Sequence, residues 1–235
     1  MRKYKNCYIA VLDLMGFKEG LKNYSCETIA SIFDEINEDY NITFNKTGKL
    51  IVDKKDLHIK VMSDSVCIYI ETKIENSLTA LIATCDYLQI RLLRLPIPVL
   101  SRGAIVEGEI YHENDVLFGQ GFVDAFYKQE YAAVFPRIII DDKVIENYKC
   151  KEEIGQKYID DMIIRDCCDN RYISDYLYLF YGLNHSQDSW KNFAKYVYDK
   201  VENEKSERIK SKYIYLKSKF EKIGERYMKY LEQNE

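Results

Sequence analysis

Hydrophobic periodicity divides the chain into a regular series of elements. Residues 7–14 (CYIAVLDL) alternate and are rich in β-formers, and they read as a buried strand. Residues 18–42 place Ile29, Ile32, Phe33, Ile36 and Tyr40 at helical spacing, which predicts one helix. The polar stretch NKTGKLIVDKKD reads as a loop with a short strand piece. Residues 57–71 (LHIKVMSDSVCIYIE) split about Ser63-Asp64-Ser65 into a hairpin. Residues 75–94 form a helix with Leu78, Leu81, Ile82, Cys85, Leu88 and Leu92 on one face, ended by PIPV. Strands follow in LSRGAIVEGEIYH and DVLFGQG, a helix in FVDAFYKQEYAA, and a proline-opened strand in FPRIIID.

The order β-α-β-β-α-β-β-α-β predicts an α+β fold, a mixed sheet containing hairpins with helices over one face. Beyond residue 142 the pattern changes. Residues 143–165 mix charge with short apolar pieces. RYISDYLYLFYGL fits either strand or helix, and Asp188 to Gln233 is helical with an interruption near NEKSER. We therefore expect a core over 6–142 and a mainly helical extension over 143–235, packed on the core or on a dimer interface.

Composition narrows the function classes. The chain has 235 residues, 47% of them hydrophobic, enough for a real core. A formal net charge of −4 gives no sign of a nucleic-acid binder. Seven cysteines, no CxxC pair and three histidines argue against zinc and fit free thiols in a reducing compartment. The amino-terminal apolar run is short and holds Asp13, so no signal peptide is expected, and no run is long enough for a membrane helix. The expectation is a cytoplasmic protein with no membrane partner. The twenty-one tyrosines read mostly as core and interface material.

Two aspartates carry the candidate chemistry. Asp13 ends the first strand and Asp64 occupies the hairpin tip. Burying a carboxylate costs several kcal/mol without a partner, and adjacent strands would bring the two together. Close carboxylates either shift a pKa or recruit a divalent ion; Mg²⁺ favours carboxylates together with phosphate oxygens and water. The segment LMGFKEG, including Leu14, Met15, Gly16 and Phe17, would offer backbone N–H groups and a helix start to a triphosphate. An aspartate at a strand end also serves as a helix cap or turn former, and that reading stays open.

The segments VLDLMGF, IKVMSDSV, SRGAIVEGEI and FGQGFVDAFYKQEYAAVFPRIIID, in this order and spacing, resemble the class III nucleotidyl cyclase domain. Within it they most resemble the bacterial pyrimidine cyclases of Pycsar anti-phage systems. The resemblance covers roughly residues 6–142, and SDYLYLFYGL and KYIYLKSKF further along are also similar to that group. It implies a ferredoxin-like palm fold and a homodimer with active sites at the interface. It implies two divalent ions, Mg²⁺ or Mn²⁺, on Asp13 and Asp64, with the Leu14 carbonyl as a further ligand. The implied reaction is attack of the ribose 3′-oxygen of UTP, or of CTP, on the α-phosphate, releasing pyrophosphate. The product would be cyclic UMP or cyclic CMP, an anti-phage second messenger read by a separate effector. Purine cyclisation, or a catalytically silent dimerising or nucleotide-sensing domain, are the alternatives.

By the same resemblance Lys60, four positions before Asp64, stands where purine cyclases place a base-selecting residue; a solvated hairpin lysine is the competing reading. Val123 and Tyr127 fall where those enzymes carry Asn and Arg, and Val116 falls at the second base-reading position. Arg102 is the best phosphate contact, or else an ion-pair partner of Glu130; Lys128 and Arg137 are weaker, Arg137 reading as an edge-strand charge. The charges of the last helix read as a solvated face.

Overall fold

The computed structural model describes residues 2–37, 52–114, 116–148, 153–184 and 188–234. Strand β1 (Lys5–Leu14) lies at the centre, antiparallel to β3 (Ser65–Glu71) on one side and β4 (Ser101–Glu113) on the other. Its residues alternate between two cores. Tyr8, Ala10, Leu12 and Leu14 enter the larger core, whereas Cys7, Ile9 and Val11 enter a smaller one on the opposite face. A strand covered on both faces reads as a nearly continuous apolar run, which is why residues 7–14 look as they do.

The larger core is roofed by α2 (Cys26–Asn37) and α3 (Ser77–Arg94). The expected helix over 18–42 is two helices. Tyr24 is extended and ends α1 (Phe17–Asn23), and the Ser25 hydroxyl then caps α2 by accepting from the Thr28 N–H at 3.2 Å. The remainder of that expectation, 38–42, and most of the polar loop after it lie outside the described residues.

The hairpin is present as β2 (His58–Met62) and β3, joined by two residues, Ser63 and Asp64. Ser63 has φ 59°, the positive value that a tight two-residue turn demands at its first position. Strand β4 pairs with β5 (Val116–Phe118), which leads into α4 (Gln120–Tyr131). Helices cover one face, as expected, with α4 the exception on the other. It comes so close to β4 that a Cβ on Gly108 would sit 2.6 Å from Gly121 Cα.

Strand β6 (Ile138–Ile140) runs parallel to β4 and makes the sheet mixed. After α5 (Asp142–Asn147) and α6 (Glu153–Met162), β7 (Ile163–Arg165) and β8 (Tyr172–Ser174) extend the same sheet, in the order β2-β3-β1-β4-β6-β8-β7. The residues beyond 142 thus share the sheet with those before it. The ambiguous RYISDYLYLFYGL is both strand and helix: β8 gives way at Asp175 to α7 (Tyr176–Asn184), and the Asp175 carboxylate accepts from the Tyr178 N–H. Helices α7, α8 (Asp188–Asn203) and α9 (Glu207–Asn234) close a third, aromatic core around Phe180, Trp190, Phe193 and Leu216 against the end of α3. No helix among the described residues is long and apolar enough to cross a membrane.

Candidate functional site

At the carboxyl end of β1 the chain turns sharply. Leu14 N–H donates to the Asp64 carbonyl at 2.8 Å, and Met15 N–H to the Leu100 carbonyl at 2.8 Å. Gly16 follows with φ 83°, a value costly for any residue bearing a Cβ, and α1 begins at Phe17. The turn is pinned from both sides, so Asp13 is held in register opposite Ser65 on β3 and opposite Arg102 on β4. Asp64 stands one residue before Ser65, at the tip of the hairpin.

Asp13, Leu14, Met15, Gly16, Phe17, Asp64 and Arg102 all line one open cleft of about 430 Å³. Seven of the eight residues singled out from the sequence therefore share one wall system. Lys60 does not line it: its ammonium donates to the Asn114 carbonyl in the β4–β5 turn at 3.0 Å. The tight turn at Ser63 ends the strand alternation that would have put Lys60 and Asp64 on one face.

The two carboxylates differ in their surroundings. Asp13 Oδ2 accepts from Arg102 Nε at 2.9 Å, and both side chains are largely buried. The rest of the Arg102 guanidinium reaches the Ala133 and Glu130 carbonyls and the Glu130 carboxylate, at 3.2–3.4 Å. Both open readings of Arg102 thus meet in one place, since it is ion-paired with Glu130 and also faces the cleft. The Asp64 carboxylate has no hydrogen bond or ion pair within the described residues. Two carboxylates, one of them uncommitted, form a hard-oxygen donor set that fits Mg²⁺ or Mn²⁺. A three-ligand cluster elsewhere, Asp166, Cys167 and Cys168, fits a metal poorly, because Asp166 is already claimed by Arg137, Tyr215 and Lys219.

Gln129, Arg208 and Lys212 are among the lining residues that the sequence did not point to. Gln129 of α4 is buried, and its Nε2 has no partner among the described residues. Arg208 and Lys212 come from α9, whose charges the sequence reading assigned to solvent. Burial and the neighbouring Arg102 and Arg208 lower the Lys212 pKa, and Asp13 opposes them. The spacing of 208 and 212, one turn apart, was the available signal, and the interspersed glutamates hid it. Arg137 is corrected too: it is fully buried, donating to Asp166 and, at 2.5 Å, to Asp169. Lys128 is ion-paired with Asp141, away from the cleft. Val116, Val123 and Tyr127 are exposed and bring no polar group toward a base beyond the tyrosine hydroxyl.

No protein-family model and no curated protein matches the chain. Among solved structures it is similar to the adenylyl cyclase CyaB from P. aeruginosa, at 17% identity and a TM-score of 0.48, over 74% of this chain and 93% of that one. It is also similar to an adenylate/guanylate cyclase/hydrolase from Silicibacter pomeroyi, at 14% identity and a TM-score of 0.47, over 74% of this chain and 96% of that one. The catalytic core of a rhodopsin-guanylyl cyclase gives 10% identity and 0.46, over 73% and 96%.

Proposed function

We propose that the protein is a nucleotidyl cyclase that converts a pyrimidine nucleoside triphosphate, UTP before CTP, into its 3′,5′-cyclic monophosphate and pyrophosphate. The observation that carries this reading is the joining of Asp13 and Asp64 in one cleft beside a glycine turn. The motifs quoted above supply the reaction class. The apolar Val116 and Val123, at the positions where purine cyclases carry polar groups, favour a pyrimidine base.

Asp13 and Asp64 would hold the divalent ions, with Leu14 beside them. Such ions, when bound, favour ionisation of the 3′-hydroxyl and offset charge on the departing pyrophosphate. The chain's own part is positioning and charge. The turn at Gly16 would offer the backbone N–H groups of Gly16, Phe17 and Lys18, where α1 opens, to phosphate oxygens, while the Met15 N–H is held by the Leu100 carbonyl. Arg102, which lines the cleft, would meet the charge that develops as the bond from oxygen 3′ to the α-phosphorus forms and the bond to pyrophosphate breaks. Among the described residues no histidine lines the cleft, and the 3′-proton would pass to solvent or to substrate phosphate.

A homodimer completes the reading. Val123, Phe126, Tyr127 and Tyr131 leave an apolar strip of α4 exposed, and Phe126 also lines the cleft. A second copy covering that strip would bring its own surface to the mouth of the site, where base recognition would be completed. A separate effector would then read the cyclic product in anti-phage defence.

The test is incubation of the purified protein with each of the four nucleoside triphosphates and Mn²⁺, with products identified by mass. Cyclic UMP or cyclic CMP is the expected product. Cyclisation of ATP or GTP alone would overturn the pyrimidine assignment, and no cyclic product from any of the four would overturn the enzyme.

A further inference from the structure

The cleft carries more positive charge than two ion-binding aspartates explain. Its lining holds Lys18, Arg102, Arg208 and Lys212 against Asp13, Asp64 and Glu130. With divalent ions added on the aspartates, the cations from α9 would face net positive charge and repel it. A polyanion in the cleft would offset that charge. The orphaned Nε2 of buried Gln129 points the same way, since it is a donor in a wall where an acceptor is missing.

Lys212 is half-buried and Arg208 is exposed, and both belong to one stripe of α9. Arg208, Lys212, Tyr215 and Lys219 follow the i, i+4, i+7, i+11 spacing of one helical stripe. The lower half of that stripe is anchored. Tyr215 Oη donates to Asp166 at 2.5 Å and Lys219 Nζ at 3.0 Å, while the Tyr215 ring stacks on Phe135 with centroids 4.6 Å apart. Arg137 completes the cluster from beside β6, and its carbonyl accepts from Gly103 N–H next to Arg102. The anchor fixes the azimuth of α9, so the upper half of the stripe faces the cleft one and two turns away.

We infer that Arg208 and Lys212 of α9 form the subsite for the terminal phosphates of the triphosphate, opposite the ion-binding aspartates. This rests on the cyclase reading for the identity of the nucleotide and on the geometry alone for the polyphosphate. It gives the carboxyl-terminal helix a direct part in substrate binding. It also makes the Asp166 cluster a positioning device for that helix.

The experiment is calorimetric titration of the full chain with inorganic tripolyphosphate, at two salt concentrations, alongside the cyclisation assay. Lys212→Met and Arg208→Met should each weaken binding about tenfold, as loss of a charge-assisted contact does. The double variant should weaken it further and flatten the salt dependence. Lys212→Arg should restore binding, and Lys210→Met, on another face of α9, should leave it unchanged. Thermal melts of each variant report folding separately. Wild-type protein that does not bind tripolyphosphate, or a folded double variant that binds it as tightly, would overturn the subsite. In the second case cyclic product from the wild type leaves the cyclase reading standing. Conversely, absence of any cyclic product, with tripolyphosphate binding lost in the variants, sinks the cyclase and keeps the subsite.

Discussion

Arg102 and Asp13 face each other across β1 and β4, and the guanidinium Nε donates to the carboxylate at 2.9 Å. The pair answers why a carboxylate ends a buried strand: before any cation arrives, an arginine neutralises it. Arg102→Gln should therefore act in two directions. The metal-free protein should lose about 1–3 kcal/mol in urea unfolding, because a largely buried Asp13 is left without its charged partner. Mn²⁺ should bind several-fold more tightly, since Asp13 no longer shares its charge, while cyclisation falls at least tenfold. Unchanged Mn²⁺ affinity would show that Asp13 is not at the ion site.

The aspartates should separate in stability although both abolish turnover. Asp64 has no side-chain partner among the described residues, so Asp64→Ala should leave the melting temperature within about a degree and remove product. Asp13→Ala takes the acceptor from Arg102 Nε, leaving the guanidinium Glu130 and two carbonyls, and should lower the melting temperature by several degrees as well as removing product. The dimer should persist in both. Normal turnover in either variant would remove the ion assignment.

Residues whose placement follows from local spacing were legible in the sequence. The apolar run into Asp13, the hairpin about Asp64 and the glycine at 16 are set by neighbours in the chain, and all three reach the cleft. Lys60 was not legible, because its direction depends on a turn that breaks alternation after Met62. Arg137 looked like an edge charge because its partners, Asp166 and Asp169, arrive from a turn nearly thirty residues later. Arg208 and Lys212 were hidden for the same reason: only the Asp166 anchor decides which face of α9 meets the cleft. The placement of α4 on the second face rests on Gly108 meeting Gly121, and a contact between glycines leaves no hydrophobic signature.

That contact is itself testable. A Cβ on Gly121 would lie 2.8 Å from backbone carbon of Gly108 and 2.8 Å from the Ile9 side chain. Gly121→Ala must push α4 off β4 and should cost about 1–3 kcal/mol or more. It should also lower activity, because α4 carries Gln129 and Glu130 into the cleft. Gly16→Ala meets no atom within 4 Å, and its cost should come from φ alone, about 1–2 kcal/mol. A Gly121→Ala variant as stable and as active as the wild type would mean that steric contact does not set the position of α4.

The apolar strip on α4 predicts oligomeric state. Val123 is 55% exposed and does not line the cleft. Val123→Asp should shift the protein from dimer to monomer in light scattering and remove cyclisation, with the monomer's melting curve still cooperative. A monomeric wild type with full activity would show that one chain suffices.

Buried Asp86 predicts how stability depends on pH. Its carboxylate accepts from Tyr158 Oη at 2.7 Å and Ser174 Oγ at 2.6 Å, yet Oδ1 has no partner among the described residues. Burial raises its pKa to about 7; the two hydroxyl donors pull it down, and nearby Asp175 adds to the rise. In acid the group is protonated in both the native and the unfolded chain. As pH rises past the usual carboxylate range the unfolded chain releases its proton first, while the native protein keeps its own until about pH 7. Stability should therefore fall from about pH 4 to pH 7 and then level off. Asp86→Asn keeps the carbonyl acceptor for both hydroxyls and removes the ionisation. It should match the wild type at about pH 4 and below in urea unfolding and exceed it at pH 8. A weaker slope should remain, because burial also raises the Asp175 pKa against the pull of Arg226. A variant with the full wild-type slope would place the titrating group elsewhere.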